Sequence, residues 1–437
     1  MTTHRLAARL LRLRDAFVRA GWAVAAGCAP VMLACGQGDT TGYSGPFEAE
    51  VRRAIPDLEE SIGLEFKTPP VLEVRTREEV RTYLEQQFNE QLSPLELAGT
   101  QQAYRLFGML PDTLDLRAFL LDLLTELVAG YYDPETKVLY VVSGAAADIT
   151  NITISHELVH ALQDQYAPLD SAESLSGDND RQVAMQAVVE GQAVYEQMAS
   201  MLGGDFTLQV PGGWDRVRET IRSSQASMPM FANAPTLIQE TLLFPYLSGA
   251  EFARRVKGEK PGAGIFEPFA SSTEQILHPE RYLDAVPDLP MRIRLDAPRG
   301  GSLVYENNLG EFETRLFLFE HLKDANTAAS AAMGWDGDRY QVVNTPRGAG
   351  IAWVTVWDSP VEAAEFRDAM ERAVERRHDV RRGAGGTGDT RTWTVGGRRI
   401  TLAAESISDR AAVVFEDMPA GTTGRVMRTS SIVASEP

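Results

Sequence analysis

Residues 154–164 read ISHELVHALQD: two histidines four apart, with a glutamate directly after the first. On a helix, residues four apart sit one above the other on the same face. His156 and His160 therefore offer their ring nitrogens to a single ion. Glu157 lies about 100° round from His156, too far to ligate that ion but within reach of a water bound to it. Two ligands and a general base are the division of labour of a zinc hydrolase. Ile152, Ile154, Leu158, Val159 and Leu162 predict that this helix is buried.

A catalytic zinc usually has three protein ligands and one open position. The third candidate is Glu190 in VVEGQAVY, in the middle of the next long helix. A carboxylate in such an apolar run is expensive to bury without a partner. Its small neighbours Ala187, Gly191 and Ala193 are expected to let that helix approach the motif helix closely. Glu196 and Glu173 compete for the role without that small-residue context. The bland alternative is two histidines sharing a helix by chance, although two of only six histidines fall in this pattern. Both cysteines, Cys28 and Cys35, lie near the N-terminus, so thiolates are excluded as ligands of a site in the body of the chain.

HELVH followed about thirty residues on by Glu-Gly-x-Ala resembles the gluzincin metallopeptidases, the thermolysin and aminopeptidase group. The resemblance implies a Zn2+-dependent peptide hydrolase with His156, His160 and Glu190 as metal ligands and Glu157 as general base. Together with HELVHALQDQ and SSTEQILHPERY, the pattern is also similar to a largely uncharacterised group of bacterial HExxH lipoproteins. The strong part covers about residues 130–195. One departure matters: the thermolysin-like pattern has an Asp four residues after the third ligand, supporting a zinc histidine, and here that position is Val194. The support must come from elsewhere. In such a fold an edge strand beside the metal binds the substrate backbone as an added strand, and KVLYVV, 137–142, is the candidate. A peptidase also needs a donor for the oxyanion. His278 and Tyr282 in TEQILHPERY, 273–282, are the candidates, with Arg339 and Tyr340 of the GWDGDRY loop, 334–340, as weaker competitors.

The elements that must position these groups fall into two textures. TREEVRTYLEQQFNEQL and DLRAFLLDLLTELVAG carry apolar residues at helical spacing, and YYDPETKVLYVV predicts a hairpin. Past residue 290, DRYQVVN, GIAWVTVW, TWTVGG, RRITLAAE and AAVVFED read as strands, with a helix capped by Ser359 between them. GWDGD and GAGGTGD read as loops. The expected fold is α+β: a mainly helical zincin-like domain with a small edge-strand sheet over 51–290, then a smaller α+β domain over 291–437. Ahead of these, Arg5, Arg9, Arg12, Arg14 and Arg19 precede a short apolar run ending in VMLAC, which reads as an export signal with a lipobox over 1–35. Residues 36–50 read as a flexible tether. The chain is expected at the bacterial cell envelope, anchored in the membrane by lipid on Cys35, with Cys28 a poorer candidate. A formal net charge of −19 excludes a nucleic-acid partner, and the expected partner is a peptide or protein substrate. The alternatives are a non-catalytic binding or assembly lipoprotein on a zincin-like scaffold, against which an intact Glu157 speaks, and a zinc hydrolase of a non-peptide amide.

Overall fold

A computed structural model of the chain describes residues 42–436 except 92, 168, 170–176, 261–267, 381–389, 423, 429 and 431. The export signal and lipid anchor expected over 1–35, the GAGGTGD loop and Glu173 lie outside the described residues. Among the described residues, no helix is long and apolar enough to cross a membrane. Within the tether expected over 36–50, Tyr43 is anchored and a helix begins at Glu48. The Tyr43 ring is buried, and its hydroxyl donates to the Pro46 carbonyl at 2.7 Å.

The chain opens with helix α1 (Glu48–Ile62), strand β1 (Val71–Arg75) and helices α2 (Arg77–Gln91), α3 (Pro94–Phe107) and α4 (Leu116–Leu127). The predicted hairpin follows as β2 (Gly130–Asp133) and β3 (Val138–Val142), then the motif helix α5 (Ala147–Tyr166) and α6 (Asn179–Met201). Helices α7 (Phe206–Gln209), α8 (Gly213–Ala226), α9 (Pro229–Ala232), α10 (Thr236–Glu259), α11 (Thr273–Leu277) and α12 (Pro279–Leu283) complete the helical part. The sheet-rich part comprises β4 (Arg292–Arg294), β5 (Ser302–Asn307), α13 (Gly310–Leu322), α14 (Ala325–Ala332), β6 (Trp335–Thr345), β7 (Gly348–Trp357), α15 (Pro360–His378), β8 (Thr390–Val395), β9 (Arg398–Ile407), β10 (Arg410–Pro419) and β11 (Val433–Ser435). The α15 cap is as expected: Ser359 Oγ accepts from the Glu362 N–H.

The small sheet has the order β1-β3-β2, with β1 parallel and β2 antiparallel to β3. Strand β3 is therefore paired on both sides. The edge strand beside the motif helix is β2, not the 137–142 run expected for that role. The large sheet is antiparallel, in the order β5-β6-β7-β10-β9-β8. Alternation along a strand sends side chains to opposite faces. In β7, Ile351, Trp353 and Trp357 join the main core with Phe366 of α15, while Ala352, Val354 and Val356 face a second layer with Met291, Val426 and Ile432. Both faces are buried, so the strand reads as a nearly continuous apolar run, interrupted by Thr355.

The GWDGD segment is not a loop. It starts β6, with Trp335 and Asp338 buried and a register shift between Trp335 and Gly337. Gly337 has φ +150° and lies against the Met291 carbonyl. Turn-like composition here serves a bulge. The texture changes near residue 290, but one apolar core runs across the boundary, from Leu123, Val183 and Phe252 to Trp335, Trp353 and Phe415. Tyr104 of α3 also donates to Glu313 of α13 at 2.9 Å.

Candidate metal centre

Helix α5 is buried nearly all round. Ile154, Leu158, Val159 and Leu162 join α1 and the small sheet in one cluster, and Ile152 joins the main core. That packing fixes the rotation of the helix and points His156 and His160 at α6. Their Nε2 atoms lie 3.2 Å apart, and each is 3.2 Å from Glu190 Oε2. Burial alone would raise the Glu190 carboxyl, but the His160 and His156 imidazoles outweigh it and hold it well below the usual carboxylate range.

These three donors fit a zinc ion. Points 3.2 Å apart make three corners of a tetrahedron whose centre is about 2.0 Å from each, the length of a zinc–nitrogen bond. Two imidazoles and a carboxylate are also a common zinc donor set. Among the described residues, Glu274, Asp288 and Asp358 also approach one another. Arg281 lies among them, with contacts to all three, so a guanidinium already balances that cluster.

Glu157, the residue after His156, is not part of the triad. Its Oε2 accepts the Tyr132 backbone N–H of β2 at 2.7 Å. The Tyr132 hydroxyl donates to Asp164, one turn after His160, also at 2.7 Å. Strand β2 is thereby clamped to α5 at both ends of one residue. His160 Nδ1 lies 2.8 Å from Gln163 Oε1, a partner within α5, whereas position 194 carries a valine. Sequence reasoning missed Gln163 and Tyr246. Tyr246 of α10 is buried, with its ring 6.1 Å from that of His156. The signal for Gln163 was its position three after His160, on the same face. Tyr246 has no comparable local signal.

The small residues near Glu190 have a different partner from the one expected. A Cβ on Gly191 would lie 2.0 Å from the Gly249 carbonyl carbon, and one on Gly249 would lie 2.1 Å from the Ala187 carbonyl oxygen. Ala187 and Gly191 therefore admit α10, while Ala193 packs with Leu158 and Leu162 of α5. Glu196 is not a ligand: it accepts from Lys257 Nζ at 2.7 Å and from Ser61 Oγ at 2.5 Å.

The expected oxyanion donors are engaged elsewhere. His278 Nε2 lies 3.1 Å from Glu311, and the Tyr282 hydroxyl donates to the Pro268 carbonyl at 2.9 Å. Tyr282 packs edge-on against Phe252, six residues past Tyr246 and about 240° round α10. Arg339 is bound to Glu306 and the Gly177 carbonyl, and Tyr340 is buried against Phe107. All four catalytic candidates on α5 and α6 are deeply buried, with His156, Glu157, His160 and Glu190 exposed by 2% or less.

A family model described as a domain of unknown function (DUF8575) matches residues 301–426. The match spans β5 to β10 and excludes the metal centre. No curated protein and no solved structure matches the chain.

Proposed function

We propose that this chain is a zinc-dependent metallopeptidase of zincin-like type, exported and held at the bacterial cell envelope by lipid on Cys35. The observation that carries the reading is the meeting of three metal-donor atoms 3.2 Å apart, with the Glu157 carboxylate carried by the residue next to His156 on the same buried helix. His156, His160 and Glu190 hold the ion. A Zn2+ there supplies Lewis acidity to the scissile carbonyl and acidifies water. Glu157 is the general base. The Tyr132 N–H fixes its Oε2, and its Oε1 takes the proton. Tyr246 ranks ahead of His278 and Tyr282 as oxyanion donor, because the polar groups of those two are given to Glu311 and Pro268. The substrate is a peptide or protein. The net charge of −19 disfavours nucleic acid.

The depth of the site favours a second reading, a closed zinc scaffold without catalysis. Metal analysis and a peptide-library digest separate the two. We expect one zinc per chain in the wild type, a sharp loss of metal in Glu190→Ala, and full metal in Glu157→Gln with hydrolysis down at least ~10²-fold. Zinc-loaded wild type that cleaves no peptide would leave the scaffold, or hydrolysis of a non-peptide amide. Full stoichiometry in Glu190→Ala would remove the third ligand.

A further inference from the structure

Gln163 is 1% exposed and makes three polar contacts, all within the site. Its Nε2 donates to the Val189 backbone carbonyl at 3.0 Å and to Gln192 Oε1 at 2.9 Å. Its Oε1 faces His160 Nδ1 at 2.8 Å. A backbone carbonyl only accepts, so the amide NH2 must face α6 and the amide oxygen must face the imidazole. That orientation requires the proton of a neutral His160 ring to sit on Nδ1. The Nε2 lone pair is then turned toward Glu190 and His156.

We infer that Gln163 is a positioning residue that fixes the tautomer and rotation of His160, presenting its Nε2 lone pair to a metal ion. The residue does this in two ways. It accepts from the ring, and it ties α5 to the residues on either side of Glu190, 189 and 192, so one side chain registers two ligands against each other. The inference rests on the zinc reading of this site. It differs from the Asp-supported arrangement for which Val194 has no carboxylate, because a neutral amide adds no charge to the centre.

The test uses the full chain, labelled with 15N-histidine, and competition with a chelator for zinc. In the metal-free wild type, long-range 1H–15N correlations should show His160 protonated on Nδ1. Gln163→Leu should weaken zinc ~10–100-fold, the usual effect of losing a residue that orients a ligand. Gln163→Glu still accepts from Nδ1–H but cannot donate to Val189, so it should bind zinc more tightly than the Leu variant. A tie that only joins helices would make the two variants equal, and that result would overturn the inference. A His160 proton on Nε2 in the wild type would overturn it too, even if neither variant folds. Failure of the peptidase reading is separable, since zinc binding without hydrolysis leaves all these outcomes unchanged. Should the wild type bind no zinc, the His160 tautomer still decides.

Discussion

Gly191→Ala probes whether the α6–α10 crossing sets the position of Glu190. The added Cβ would stand 2.0 Å from the Gly249 carbonyl carbon, 2.2 Å from its oxygen and 2.6 Å from the Ala250 nitrogen, where ordinary contact begins at 3.4 Å. All three are backbone atoms of a helix and cannot rotate aside. The helices must part by about 1.4 Å, from the difference between 3.4 and 2.0 Å. Overpacking typically costs ~1–3 kcal/mol, and a backbone clash belongs at the upper end. Alanine returns up to ~1 kcal/mol of helix propensity, leaving a net loss of about 2 kcal/mol. Glu190 is the adjacent residue, so the same shift pulls its carboxylate from the imidazoles. Zinc affinity should fall by ~10–100-fold, as when a supporting residue is lost. Gly258→Ala, also in α10, is the control. Its Cβ would meet nothing closer than a side-chain atom of Gln209 at 3.8 Å, so it should stabilise by a few tenths to ~1 kcal/mol. Denaturant midpoints and chelator competition read both effects. Wild-type stability and zinc affinity in Gly191→Ala would refute the argument.

Burial pushes His321 of α13 down to about 4 from an ordinary value near 6.5, only partly opposed by its bond to the Phe107 carbonyl at 2.8 Å. The unfolded chain takes up this proton below about pH 6.5 and the folded chain only near pH 4. Stability is therefore lost as pH falls through that window, by up to about 3 kcal/mol. His321→Gln should flatten the fall in denaturant midpoint between pH 7 and pH 4.5, and an unchanged slope would count against it. Tyr246→Phe should lower turnover ~10²-fold with zinc retained, whereas the His278→Ala, Tyr282→Phe pair should stay near wild type; the reverse ranking in steady-state rates would restore the later segment as the donor. Metal removal should lower the unfolding midpoint. Glu157→Gln should make the metal-free protein more stable than metal-free wild type by about 1–2 kcal/mol, and a lower midpoint in that variant would contradict it.

What could be read from the sequence was whatever spacing along one element decides. HELVH places two candidate ligands by helical geometry alone, and Glu190 betrays itself as an acid in an apolar run. The hairpin around Asp133 was legible because its turn is local: the Asp133 carbonyl accepts the Lys137 N–H, and its carboxylate accepts the Glu135 N–H. Contacts made by a second face were not legible. Ala187 and Gly191 are four apart and form their own ridge, about 60–100° from Glu190, so the prediction of close helix packing held while its partner was α10 instead of α5. Tyr246 depends on the register of that same crossing. The edge strand was misplaced for a similar reason: β1, 67 residues upstream by register, pairs with the far side of β3 and leaves β2 at the edge.

Charge balance links the buried base to the metal. Glu157 and Glu190 are both nearly inaccessible. Among the described residues, no lysine or arginine pairs with either; Glu190 meets only the two imidazoles and Glu157 only a backbone N–H. An uncompensated carboxylate in a dry interior costs several kcal/mol, and one amide hydrogen bond does not offset it. With Nδ1 of His160 holding the proton for Gln163, a neutral ring turns its Nε2 lone pair toward Glu190, so the imidazole's hold on that carboxylate applies only while the ring is protonated. With both imidazoles neutral, the two carboxylates make a centre of charge −2, with no lysine or arginine from the described residues to balance it. A divalent ion brings the sum to zero, and a neutral Gln163 keeps it there, where a carboxylate in its place would leave the centre negative. On the proposed reading Glu157 is a base held near a cation, which would make its burial tolerable with metal bound, and its replacement by glutamine is predicted to help only when the metal is gone.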